Sequence, residues 1–159
     1  MSVIVRPAEE ADADDIVDLW KSFVGFLAPT DDRYEAREGA YGKWRDYFLN
    51  RMVDAEHATL FVAEDDEELV GVIEARITGG HPVFKVSKHG HVYGHFVKEG
   101  HRGKGVGRML LQAAEAWFEG KDLPYYRVDV LSWLPEVEQM YEDAGLEHAE
   151  WTMEKFLDG

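Results

Sequence analysis

The 159 residues, 45% hydrophobic and 13% aromatic, hold enough apolar material for one compact core and too little length for two ordinary domains, so one domain over residues 1–159 is expected. Lys plus Arg number 17 against 32 Asp plus Glu, a formal charge of -15, which disfavours general attraction to nucleic acid or an anionic membrane and leaves any anionic ligand to a local basic site. No cysteine is present, which excludes disulfides, thiolate zinc sites, iron–sulfur clusters and a cysteine nucleophile. Met1 to Pro7 has neither the basic start nor the apolar run of a signal peptide. No segment approaches the ~20 apolar residues of a membrane span, so a cytoplasmic location is expected.

Val3-Ile4-Val5 predicts a strand. Ile16, Leu19, Trp20, Phe23 and Leu27 follow at helical spacing behind Asp12 and Asp14 as candidate caps. Tyr41, Trp44, Phe48 and Met52 mark one face of a second helix, and the run Thr59 to Ala63 predicts a strand. The acidic block Glu64 to Glu68 reads as a solvated hairpin tip before a strand from Leu69 to Ile77, in which Ile73, Ala75 and Ile77 alternate with Glu74 and Arg76. His91 to Lys98 predicts a further strand. A glycine-rich turn leads from it into a helix with Val106, Leu110, Ala113, Ala114 and Trp117 as the buried stripe. Tyr125 to Val130 reads as a strand, Pro135 opens a short helix that Gly145 closes, and Trp151 and Met153 alternate with polar neighbours like a last strand. The order β, α, α, β, β, β, α, β, α, β implies an α/β or α+β fold with a mixed sheet.

The turn Arg102-Gly103-Lys104-Gly105-Val106-Gly107-Arg108 stands where a strand ends and a helix begins. Glycines there let backbone N–H groups converge, and the helix N-terminus adds positive potential, a combination suited to phosphate. Residues 85–108 carry Lys85, Lys88, Lys98, Arg102, Lys104 and Arg108 against Glu99 alone, a net +5 in a chain whose remainder sums to -20. The turn fits neither the P-loop pattern nor the Rossmann glycine fingerprint. What remains is R-x-x-G-x-G after a strand.

With Phe96-Val97 before it and Leu110-Leu111 after it, this segment resembles the coenzyme A pyrophosphate loop of the GNAT superfamily of N-acetyltransferases, and the element order resembles that family from Val3 to about Phe156. The resemblance implies a mostly antiparallel sheet flanked by helices and splayed at the strand that binds acetyl-CoA. It implies that His95, Phe96 and Val97 bond the pantetheine arm through their backbone, with the Val97 N–H also aimed at the thioester oxygen. Arg102, Gly103, Lys104, Gly105, Val106, Gly107 and Arg108 would hold the pyrophosphate. Tyr141, in Tyr141-Glu142-Asp143-Ala144-Gly145-Leu146, matches the family's tyrosine helix and would protonate the departing thiolate. Leu134 stands where the family often has an asparagine that contacts the coenzyme.

An amine acceptor with a pKa of about 10.4 must lose a proton before it attacks. Asp129 matches the position at which some relatives carry a glutamate base, and an apolar neighbourhood would raise its pKa. Glu74 is the second candidate, and Tyr93 or His95 the third. His89, His91 and His95 share strand parity, a spacing compatible with metal ligation, with cleft lining or with proton relays; no metal is assigned. The expected activity is acetyl-CoA-dependent transfer to a primary amine of a small molecule or peptide by direct attack in a ternary complex. The alternatives are a non-catalytic acyl-CoA-binding sensor or scaffold of the same fold and, third, a nucleotide-binding regulatory domain. No nucleic acid or membrane partner is expected, and a homodimer would use an edge near Trp151.

Overall fold

In the computed structural model, which describes residues 2–158, the acidic block folds back on itself as a tight turn. Asp66 and Glu67 take left-handed φ of 51° and 69°, so β2 (Ala58–Asp65) and β3 (Glu68–Gly79) pair antiparallel. With β1 (Val3–Pro7), β4 (Lys88–Val97) and β5 (Tyr126–Val128) they form one sheet in the order β1-β2-β3-β4-β5. Only the last pairing, β4 with β5, is parallel. The helices are α1 (Ala13–Leu27), α2 (Ala40–Tyr47), α3 (Val106–Gly120) and α4 (Pro135–Asp143). A π-helical turn, Phe48–Met52, extends α2. None is long and apolar enough to cross a membrane among the described residues. The mixed α/β fold expected from the sequence is therefore present. The chain divides into two compact units, one up to Asp129 and one from Val130.

In the first unit both sheet faces are covered. Ile16 and Leu19 of α1, with Phe48 and Met52, pack on Leu60, Val62, Val72 and Phe96. The other face receives α3, whose buried residues are Val106, Leu110, Leu111, Ala114 and Phe118. The stripe is thus turned from the expected one, with Leu111 and Phe118 taking the places of Ala113 and Trp117. The sheet explains the turn: a Cβ at Gly90 would lie 2.5 Å from the Phe118 ring, so the bare backbone of β4 makes a seat that a large aromatic fills and a side chain would block.

The expected caps of α1 serve elsewhere. Asp12 accepts from the Glu9 N–H at 2.8 Å and from the Arg6 guanidinium at 2.7 and 2.9 Å, closing the 3₁₀ turn Glu10–Asp12, and the Arg6 bond holds its carboxyl below the usual range. Asp14 pairs with Arg45 at 2.8 Å, joining α1 to α2.

In the second unit Pro135 begins α4 and Gly145, at φ 94°, ends it, as expected. The last strand is not formed. Residues 147–157 belong to no helix or strand, and Trp151 and Met153 are 85% and 93% exposed. Alternation makes a strand only where one face has something to bury against and the backbone has a neighbour to pair with.

Candidate active site

The site begins with an irregularity in β4. Val72 stands opposite Phe96 and Glu74 opposite Tyr93, so two residues, Gly94 and His95, face the single Ile73. This is a bulge, and Gly94 adopts the left-handed φ of 55° that it needs. The extra residue reverses side-chain parity. Tyr93 and Phe96 lie on the α1 side, while the His95 Nε2 reaches the Gly107 carbonyl of α3 at 2.8 Å. The three histidines therefore do not share a face, contrary to the alternation expected from the sequence. A carbonyl only accepts, so Nε2 carries the proton. Burial pulls the His95 pKa down to about 4, which keeps the imidazole neutral and makes it a weak base for an amine proton.

Beyond the bulge the strand edge opens. The β4–β5 register covers Gly90 to Val92 against Tyr126 to Val128, so among the described residues no strand pairs with Gly94 to Val97 on that side. The Lys98 N–H bonds the Val70 carbonyl at 2.8 Å. Successive amides in a strand point to opposite edges, so the Val97 N–H points away from β3, into the opening. The Phe96 amide faces β3 by the same alternation, and its ring stacks on Phe23 at 4.9 Å.

The loop from 98 to 105 carries the chain onto α3. Gly100, Gly103 and Gly105 are all left-handed, with φ of 90°, 75° and 84°. Gly105 precedes the helix and no side chain caps it, so the amides at the start of this 15-residue helix project outward with the positive end of its dipole. Lys104 and Arg108 flank them and form no ion pair among the described residues. Arg102 has a different post. Its Nε donates to the Val97 carbonyl at 2.7 Å and its guanidinium covers the Phe26 and Phe96 rings at 4.6 and 5.2 Å, bracing the loop against β4. Lys98 is also engaged, with Glu68 at 3.0 Å.

Side chains build the neighbouring region on the α1 side. Glu74 is buried and accepts from the Arg76 Nε at 2.5 Å. Arg76 lies over the Tyr47 and Tyr93 rings at 5.2 and 5.7 Å; burial is the largest single influence and pulls its pKa down, but the bond to Glu74, the Glu74 charge and Tyr47 together outweigh it and the net shift is upward. Burial also raises the Tyr93 hydroxyl. His91 stacks on Tyr93 at 4.6 Å, and its Nε2 lies 3.0 Å from the Asp129 carboxylate. Asp129 follows the last paired residue of β5, at the point where β4 and β5 part. Its side chain is 87% exposed, so it stands in water and not in the apolar neighbourhood expected for it. Arg76 and Tyr47 were not among the expected site residues. Arg76 had a sequence signal in its two-residue spacing from Glu74 on one strand face, whereas Tyr47 had none.

In the second unit Tyr141 is buried on α4, and burial raises its hydroxyl well above the usual tyrosine range. The hydroxyl is thus held protonated at neutral pH.

The family model for the GNAT acetyltransferase family matches residues 17–146. The chain belongs to the GNAT acetyltransferase family. No curated protein sequence matches it. Among solved structures it is similar to AAC(6')-Iy in complex with a bisubstrate analogue, at 19% identity and TM-score 0.78, covering 100% of both chains. It is also similar to a predicted acetyltransferase with acetyl-CoA from Clostridium acetobutylicum, at 14% identity and TM-score 0.77, covering 98% of this chain and 96% of that one. A third is glucosamine-6-phosphate N-acetyltransferase from Arabidopsis thaliana, at 16% identity and TM-score 0.72, covering 99% and 100%. At such identities the likeness is one of fold, and this GNAT chain has the family's splayed sheet. Acetyl-CoA is the co-substrate that membership of the family brings with it.

Proposed function

We propose that this GNAT protein transfers the acetyl group of acetyl-CoA to a primary amine by direct attack. The observation that carries the reading is the continuity of residues 94–108: an open strand edge with the Val97 N–H turned outward, then a glycine loop ending at an uncapped helix. Such a run suits a long ligand with a polar carbonyl at one end and a pyrophosphate along its length. Gly103, Gly105, Val106 and Gly107 supply backbone N–H groups to the pyrophosphate, Lys104 and Arg108 supply charge, and Arg102 with His95 holds the loop in place.

In the reaction the amine nitrogen forms a bond to the thioester carbon while the carbonyl oxygen gains negative charge, which the Val97 N–H stabilises. The carbon–sulfur bond then breaks. The departing thiolate takes a proton from the Tyr141 hydroxyl, a role carried over from the family resemblance and consistent with a hydroxyl kept protonated by burial. The amine must shed a proton, and Asp129, at the parting of β4 and β5, receives it through His91 or through water. Glu74 is the second candidate, although its bond to Arg76 gives it a partner to lose first. The acceptor is a small-molecule or peptide amine. The names of the similar AAC(6')-Iy, an aminoglycoside N-acetyltransferase, and glucosamine-6-phosphate N-acetyltransferase favour a small molecule.

A panel of amines, including amino sugars, polyamines and lysine peptides, assayed for free thiol with acetyl-CoA tests this reading. Amine-dependent thiol release with an acetylated product is expected. Coenzyme binding with no release for any amine would favour an acyl-CoA sensor, and displacement of coenzyme A by equimolar ATP would favour a nucleotide-binding domain.

A further inference from the structure

We propose that Glu138, Glu142 and His148 form a binding site for one first-row divalent cation of the zinc or nickel type. All three lie in the unit after Val130, and none takes part in the acetyl-transfer reading. The His148 Nε2 stands 3.1 Å from a carboxylate oxygen of Glu138 and 3.1 Å from one of Glu142. The three ligand atoms lie within 4.8 Å of one another. Metal–ligand bonds of about 2.1 Å to imidazole nitrogen and carboxylate oxygen place adjacent ligands about 3.0 Å apart in an octahedron and about 3.4 Å apart in a tetrahedron. Both nitrogen–oxygen separations already fall in that interval. One imidazole N–H donates along one direction, so it cannot serve two carboxylates equally well, whereas a cation among the three atoms satisfies all of them.

The donors are held from more than one side. Glu138 and Glu142 are four residues apart and share a face of α4. Gly145 ends that helix in the left-handed region, with the Gly145 N–H on the Glu142 carbonyl at 2.9 Å and the Leu146 N–H on the Tyr141 carbonyl at 3.0 Å. This closure turns the chain back so that His148, three residues on, meets the carboxylates. Trp151 stacks on the imidazole at 5.9 Å and 20°, which orients the ring. The local field favours a cation as well. From Val130 onward the sequence has eight carboxylate side chains against Lys155 alone, and no basic residue sits in the last turn of α4 to offset the negative end of its dipole. Two carboxylates with one imidazole suit zinc or nickel better than magnesium, which has little affinity for nitrogen donors. Water would fill the remaining coordination positions.

The test is a titration of chelator-treated, full-length protein with zinc chloride, read by calorimetry and by the NMR signals of the histidine rings. One zinc per chain is expected, with the largest shift at the His148 ring. His148→Ala and Glu142→Gln should each weaken binding by tenfold or more while the far-ultraviolet circular dichroism stays unchanged, and His91→Ala should leave the affinity as it is. Undiminished binding by folded His148→Ala protein, loss of binding in His91→Ala, equal affinity for magnesium, or no zinc uptake at millimolar concentration would each overturn the proposal. His148→Gln is the companion variant should alanine disturb the chain.

Discussion

Between residues 94 and 108 the groups turned toward the proposed coenzyme are backbone amides, placed by a bulge at Gly94 and by left-handed glycines at 100, 103 and 105. Across the same strand, on the α1 side, the polar groups are side chains: Glu74 held by Arg76, Tyr93 under His91, and Asp129 in water beyond. The two ends of the site therefore differ in how they are fixed. Backbone amides are set by φ and ψ and cannot turn away, so a phosphate site made from them depends on which residues can adopt those angles. A side-chain site depends on neighbours, and one bond, such as that from Arg76 to Glu74, can withdraw a group from use.

The largest expected effect breaks the backbone end. Gly105→Asp puts a side chain on a residue at φ 84° and a negative charge at the mouth of α3, and calorimetry should show coenzyme A affinity falling by about 100-fold or more, the equivalent of about 3 kcal/mol. Tyr141→Phe removes only the hydroxyl. Turnover with a good amine should fall about 100-fold, the usual scale of general acid catalysis, while coenzyme affinity and melting temperature stay near wild type. Steady-state kinetics beside a melt separates this outcome from a packing role, in which the melt would move and turnover would not.

Asp129→Asn sharpens the contrast at the amine end. An exposed carboxylate acting through His91 or water should contribute less to kcat than the Tyr141 hydroxyl does, and steady-state kinetics of the two variants side by side checks this. Glu74→Gln with the larger kinetic effect would move the base to β3.

The last effect is on stability and not on binding or turnover, and concerns the tether between the bulge and α3. His95 has a folded pKa of about 4 against 6.5 for the free side chain, so between these values the unfolded chain binds the extra proton and the folded one does not. Stability from this group is complete above about pH 6.5 and is lost as the pH falls toward 4, by about 3 kcal/mol in all. Denaturant unfolding of His95→Gln, which keeps an N–H donor for Gly107, should be flatter over that window. The carboxylate of Asp12, held low by Arg6, contributes at lower pH, where its stabilisation is lost as it protonates.

The same contrast explains what could be read in the sequence. Glycine spacing and the basic cluster were enough to find the loop, because glycines at left-handed positions are chosen for backbone reasons that neighbours do not alter. The closure of α4 at Gly145 was legible for the same reason, and the hairpin at Asp66-Glu67 from the acidic block that separates two apolar runs. The parity of His95 was not, since a bulge at Gly94 adds one residue without changing the apparent alternation of β4. The rotation of α3 depends on Phe118 meeting Gly90, a pair far apart in the chain. Trp151 and Met153 alternated as a strand should, yet among the described residues no strand pairs with theirs. Arg76 looked like the polar face of a half-buried strand, and only the packing of Tyr47 and Tyr93 around it, with Glu74 bonded beside it, shows otherwise.

Amide chemical shifts during a coenzyme A titration test most directly whether the backbone of residues 94–108 is the coenzyme site. The largest movements should occur at Val97, Gly103, Gly105, Val106 and Gly107, and they should persist when Lys104 and Arg108 are both changed to Gln, with weaker, less salt-sensitive binding. Coenzyme binding that leaves those amides unmoved while shifting residues elsewhere would contradict that assignment.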